Sequence, residues 1–161
     1  MIDDIDIKIM NIIQNDCKIP NVEIARRLGM APSAMLERFR RLEEKGYIQG
    51  YEARLNAPKL GMGLLAFVFV RTNDRGGAYV TAQKIARIPE VLEVHDVAGE
   101  DCYVVKLRAR DTDHLSRLMK THFGKMKSIL STRTTIVLET IKETGKLPLS
   151  EDNIRKKNDA R

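Results

Sequence analysis

The chain has 161 residues, a net charge of +6, 43% hydrophobic residues and two cysteines. That length holds one ordinary domain or two small ones, and the basic balance favours an anionic partner. No apolar run approaches a membrane span and no apolar leader opens the sequence, while Cys17 and Cys102, far apart, argue against a disulfide framework and for a reducing cytoplasm.

The first predicted element is a helix over residues 4–15. Ile5, Ile9, Ile12 and Ile13 keep the helical period, and Asp3 or Asp4 suits its N-cap. Two short helices and a strand follow in residues 21–51, NVEIARRLGMAPSAMLERFRRLEEKGYIQGY. Val22, Ile24, Ala25 and Leu28 give the first helix an apolar face, opened by Pro20. Gly29 can take the positive φ of a C-terminal turn. The second helix starts near Pro32-Ser33 and ends at Gly46, with Met35, Phe39 and Leu42 on one buried face.

This is a helix-turn-helix pattern, and it points to double-stranded DNA as partner. Arg38, Arg40 and Arg41 crowd the second helix; Arg26 and Arg27 close the first. Ser33, Leu36, Glu37, Arg40 and Arg41 fall on the outer side. Ser33 and Glu37, one turn apart, are placed to face bases, and Leu36 to meet a thymine methyl. Arg40 and Arg41 suit guanine edges or phosphates. Arg38 lies nearer the core stripe, which suits an ion pair or a phosphate contact, and Arg26 and Arg27 suit flanking phosphates. The bland alternative is a solvated charged face, since the acids of this segment nearly cancel its bases. The clustering of arginines on the second helix favours DNA.

Residues 47–55 alternate loosely and suit a strand or wing, and residues 56–61 form a turn-rich boundary. Residues 64–70, LLAFVFV, are an apolar run of strand length. Residues 78–88 read as helix, 91–97 and 103–107 as strands around a Gly99-Glu100-Asp101 turn, 112–122 as helix, and 132–141 as a last strand. Strand, helix, strand, strand, helix, strand is the ferredoxin-like βαββαβ order, so the fold class is α+β. Two helices cover one face of such a sheet. The other face, apolar here, calls for a partner, most economically a second copy in a two-fold dimer. The chain thus divides into a helix-turn-helix domain at 1–50, a hinge strand or linker at 51–61, a ferredoxin-like, self-associating domain at 62–143, and a polar, fraying tail at 144–161.

Over residues 3–143 the sequence resembles the Lrp/AsnC (leucine-responsive/asparagine regulator, feast/famine) family of transcriptional regulators. The resemblance is carried by DDIDIKIMNIIQND, IARRLGMAPSAMLERFRRLEEKGYIQGY, VAGEDCYVVKLRA and TRTTIVLETIK, in that order and spacing. It implies a winged helix-turn-helix at 1–50 joined to an effector-binding and oligomerisation domain at 62–143, in a DNA-binding regulator whose dimers often gather into octamers and bind a small metabolite, usually an amino acid. No cofactor is expected. Two positions depart from the family pattern. Ala31 stands where a serine commonly caps the recognition helix, which leaves the cap weaker or shifts it to Ser33. The effector turn has Asp101 at the aromatic position and Cys102 at the aspartate position, so its acidity is kept but displaced.

The resemblance puts the effector site at Gly99, Glu100, Asp101 and Cys102, with Thr132, Thr134 and Thr135 from the last strand. N–H groups of the turn can hold a carboxylate; the acids and hydroxyls can hold an ammonium. Read without it, the turn is a plain hairpin and the threonines are ordinary strand residues. Catalytic and metal sites find no support. His95, His114 and His122 lack ligand spacing, and His95-Asp96 reads as a surface or interface pair. Two alternatives remain: a metabolite-binding assembly module that ignores DNA, and a tetrapyrrole decarboxylase of the same architecture. Against the second, residues 93–97 read Glu-Val-His-Asp-Val where such enzymes tend to carry a histidine-asparagine-tyrosine run.

Overall fold

A computed structural model describes residues 2–74 and 79–150. The chain divides into two compact units, Met1–Ala53 with Glu143–Arg161, and Arg54–Lys142.

The first unit holds α1 (Asp4–Ile13), α2 (Asn21–Arg27) and α3 (Pro32–Glu44). Asp3 caps α1 by accepting from the Asp6 N–H, and the Asp6 carboxylate accepts from the Asp3 N–H, a reciprocal capping box. The helix ends at Ile13, two residues before the predicted end. Ile9, Ile24, Met35 and Leu42 are fully buried, with Ile7, Met10, Ile13 and Ala25 around them. Ile5, Ile12 and Phe39 pack half-buried at the margin of this core. Gly29 turns α2 into α3 at φ +64°, a conformation that glycine adopts without a side-chain clash. Ala31 is the residue before α3 and contributes no side-chain cap, and Ser33 lies inside the helix.

The predicted strand or wing at 47–55 is not formed; those residues carry no regular structure. A strand needs a neighbour for its N–H and C=O groups, and this segment has none among the described residues. The expectation for the tail also changes. Residues 143–150 join the first unit, with Leu149 packed against its helical core. Residues 151–161 lie outside the described residues.

The second unit contains β1 (Leu64–Thr72), α4 (Val80–Ile85), β2 (Val91–Asp96), β3 (Tyr103–Ala109), α5 (Thr112–Thr121) and β4 (Ile129–Ile136). Its sheet runs β2-β3-β1-β4, every neighbouring pair antiparallel, the ferredoxin-like order. Ala66, Val68 and Val70 alternate onto one face, meet Tyr103, Val105 and Leu107 there, and pack under Ile85, Leu115, Leu118 and Phe123. Phe67, Phe69, Val104 and Lys106 point from the opposite face and are half-buried. Thr81, fully buried at the start of α4, donates to Asp74 at 2.8 Å and shares a 2.6 Å hydroxyl bond with Ser128, tying three segments together.

Most C-terminal ends shift by one to three residues, as at α4, which ends at Ile85 rather than 88, and β4 shifts more. α4 begins at Val80; its predicted start, Ala78, lies outside the described residues. β4 spans Ile129–Ile136 rather than 132–141. Its partner sets that limit: Ile136 pairs with Ala66 near the start of β1, so 138–141 have no neighbour despite their strand-forming residues.

Candidate nucleic-acid interface and effector site

α3 presents its outer face as expected at four positions. Ser33, Leu36, Glu37 and Arg40 are exposed, and among the described residues Arg40 makes no ion pair. Arg38 and Arg41 are placed otherwise. Arg38 Nη1 donates to Asp3 Oδ2 at 2.7 Å and to Asp6 Oδ1 at 2.8 Å. Arg41 Nη2 donates to Asp6 Oδ2 at 2.9 Å. For Arg38 this is the ion pair that its position near the core stripe suggested. For Arg41 it corrects the expectation of an outer-face side chain: the guanidinium turns back onto a carboxylate that is fully buried.

This cluster has a physical logic. Asp6 is dehydrated, and a buried carboxylate is tolerated only when paired and hydrogen-bonded. Two guanidiniums and one N–H supply that, and they fix α3 against α1. Partial burial opposes the charge on Asp3, but the Asp6 N–H and Arg38 outweigh it and hold its carboxyl below the usual value. Arg26 and Arg27 both grip Glu23. Arg26 Nε and Nη2 lie 2.8 Å from its two oxygens and Arg27 Nε 2.8 Å from one of them. Arg26, then Arg27, hold the Glu23 carboxyl down at about 2. Both arginines remain solvent-facing, so this exposed pairing is weak and open to exchange for a phosphate.

Beside α3 lies a cleft of about 360 Å³ lined by Ile13, Cys17, Leu36, Phe39, Arg40 and Tyr51, among others. The Tyr51 ring stacks on Phe39 at 6.4 Å, and its hydroxyl donates to Glu43 at 2.9 Å. Burial, then the Glu43 carboxylate, push that phenol up to about 12. Tyr51 thus anchors residues following α3 to the helix.

In the second unit the expected effector residues are divided. Gly99 has φ +143°, and Glu100 beside it is exposed. Asp101 accepts from Arg133 Nη2 at 3.2 Å. Cys102 turns inward: its Sγ accepts from the Thr72 N–H at 3.4 Å and lies 3.7 Å from the Thr72 carbonyl. Thr132 and Thr134 pair with Val70 and Val68, so they share the helix-covered side of β4. Thr135 pairs with Phe67 and points to the opposite side. The three hydroxyls therefore do not converge. Sequence reasoning missed Arg133, which lies between Asp101 and the Phe69 ring, its guanidinium 4.0 Å from the ring centroid. The signal was present: in Thr132-Arg133-Thr134 the middle residue must face away from both threonines.

His95 is not paired with Asp96, its neighbour on a strand and so on the opposite face. It lies 3.2 Å from Glu93, which also accepts from Lys106 at 3.0 Å. Lys106, then His95, hold the Glu93 carboxyl below its usual value. Among the described residues no group of three His, Cys, Asp or Glu side chains is arranged to hold a metal ion. No helix among them is long and apolar enough to cross a membrane.

A family model for a winged helix-turn-helix DNA-binding domain matches residues 2–49, and one for the Lrp/AsnC ligand-binding domain matches residues 65–147. The chain belongs to the Lrp/AsnC family of transcriptional regulators. This Lrp/AsnC regulator is 37% identical over 150 residues to the HTH-type transcriptional regulator FL11 of Pyrococcus furiosus, covering 92% of this chain and 97% of that one. It is 38% identical over 149 residues to the leucine-responsive regulatory protein of Escherichia coli K12, covering 91% and 90%. Its fold matches a Neisseria meningitidis transcriptional regulator solved as an L-Met complex, with TM-score 0.86 and 28% identity over 92% of this chain and 97% of that one. The Lrp/AsnC assignment accounts for both units: the three-helix unit is the winged helix-turn-helix, and the βαββαβ unit is the ligand-binding domain.

Proposed function

We propose that the chain regulates transcription by binding a pseudo-palindromic duplex as a two-fold dimer, through Ser33, Leu36, Glu37 and Arg40 of α3. The observation that carries this is the exposed, unpaired Arg40 among neighbours that can reach base edges. Arg26 and Arg27 contact flanking phosphates. Arg38 and Arg41 act indirectly, by holding α3 on Asp6. The half-sites lie about one helical turn apart, or a multiple of it. Arg40→Ala is expected to cost about 1–3 kcal/mol at one base pair while the melting temperature stays put. The check is fluorescence anisotropy on duplexes selected by genome-wide binding, across a salt series. Equal affinity of variant and wild type on every duplex refutes the placement.

The second unit takes a small amino acid at or near the Gly99-Glu100-Asp101 turn, between dimers, and the ligand shifts assembly or DNA affinity. Support comes from the acid-bearing turn, the Asp101–Arg133 pair that offers both signs of charge to a zwitterion, and the L-Met complex of the Neisseria relative. Cys102, facing Thr72, supports the turn rather than touching ligand. The threonines contribute from one side only, Thr132 and Thr134 or Thr135. Calorimetry with the proteinogenic amino acids, methionine first, is expected to show binding that Asp101→Ala weakens about tenfold, the loss of one charged hydrogen bond, and that Gly99→Gln also weakens, by forcing a side chain onto the positive-φ turn. Identical affinity in all three proteins puts the site elsewhere.

This reading makes the chain a binding protein rather than an enzyme, and it places it in the cytoplasm with its DNA. The relatives are transcription regulators, which supports both statements. Dimers gathering into octamers complete the proposal, and light scattering measures that assembly.

A further inference from the structure

The chain passes between its two units twice, at residues 53–54 and again at 142–143. The second crossing ends in a grip on α1. Gln14 grips the backbone of one residue at both its polar groups: its Nε2 donates to the Leu147 carbonyl at 3.0 Å and its Oε1 accepts from the Leu147 N–H at 2.9 Å. Asn11 Nδ2 donates to the Leu149 carbonyl at 3.2 Å, and Lys146 Nζ donates to Asn15 Oδ1 at 2.7 Å. Asn11 lies in the last turn of α1, and Gln14 and Asn15 follow in the turn that ends it, three and four residues on, so the three side chains lie close together. Gln14 Nε2 also donates to Asn11 Oδ1 at 2.9 Å, which orients the pair. Leu149 completes the contact by packing on the helical core.

We propose that residues 146–149 are a releasable strap, whose docking on α1 sets the DNA affinity of α3. The proposal rests on the DNA-binding reading above. α1 lies between two grips: the strap at its C-terminal end and, at its N-terminal end, the Asp3 and Asp6 carboxylates that hold Arg38 and Arg41 of α3. Loosening α1 therefore loosens the carboxylates that orient the reading helix. The strap is built to come off. Leu149 is only half-buried, Leu147 stays 64% exposed, and the side chains that grip the strap compete with water.

The test uses the full chain. Leu149→Asp and Gln14→Ala are compared with wild type by duplex anisotropy, at a temperature where circular dichroism shows all three folded, and by hydrogen exchange. Both variants are expected to bind duplex about tenfold more weakly and to exchange α1 amides about tenfold faster, with β1, β3 and oligomer size unchanged. Leu149→Met restores both. Because coupling is reciprocal, duplex added to wild type slows exchange of the Leu147 amide. If wild type binds duplex and both variants match it within about twofold, the strap proposal is overturned and the DNA reading stands. If wild type binds no duplex at low salt, the DNA reading itself has failed.

Discussion

Phe69→Asp is expected to turn the assembled protein into a folded monomer. Phe69 and Phe67 point from the sheet face opposite the helices, with Val104 and Lys106 alongside. That face is the one we assign to two-fold pairing. A carboxylate there, even paired with Arg133, would have to be dehydrated in the dimer, and loss of a central aromatic anchor alone commonly costs about 2 kcal/mol or more. Dimer affinity should fall by at least about thirtyfold. The monomer itself should survive, because Arg133, already over the Phe69 ring, can pair with the new carboxylate. Phe67→Asp, whose strand neighbour is Lys106, should behave alike. Light scattering and circular dichroism on the whole chain check both halves. A dimer that persists at micromolar concentration would falsify the assignment of this face.

The second large effect is expected at Asp6. Removing one partner of a fully buried pair costs about 3–5 kcal/mol, but Arg38 and Arg41 keep contact with solvent, so Asp6→Ala should destabilise the helical unit by about 2–3 kcal/mol. It should also weaken DNA binding in the protein that remains folded, since α3 loses its register on α1. Chemical denaturation gives the first number. Acid should reproduce part of the effect through Asp3. Its carboxyl lies below its ordinary 3.8, so its stabilising contribution is complete above that value and is lost as pH falls through the lower folded value. Asp3→Asn should flatten that part of the acid limb; an unchanged limb would remove Asp3 from the account.

Much of this was legible because periodicity reports burial. The three helices of the first unit could be read from isoleucine, leucine and methionine spacing, and the βαββαβ order from short apolar runs separated by turns. What could not be read were quantities set by a partner. β4 stops at Ile136 because β1 begins at Leu64, and the Val-Leu-Glu-Thr-Ile run beyond it has a strand's composition without a strand's neighbour. The same absence leaves 47–55 without regular structure. Arg41 was misplaced for a related reason. A helical period tells which way a side chain leaves its helix, but a long guanidinium then turns toward the nearest dehydrated carboxylate. Asp3 and Asp6 are three apart, and so are Arg38 and Arg41; that matched spacing was the available clue. The strap was hidden because Leu147 and Leu149, in a polar tail, form no periodic pattern.

The helical unit is discontinuous in sequence, and this bears on how the protein is made. A ribosome synthesising about 5–20 residues per second delivers α1, α2 and α3 first, yet reaches Leu149 only roughly 5–20 s later. Through that interval the nascent helices lack their last apolar contact. The part of the chain that emerges first is the part completed last, so only chains synthesised past Leu149 carry a fully built helical core.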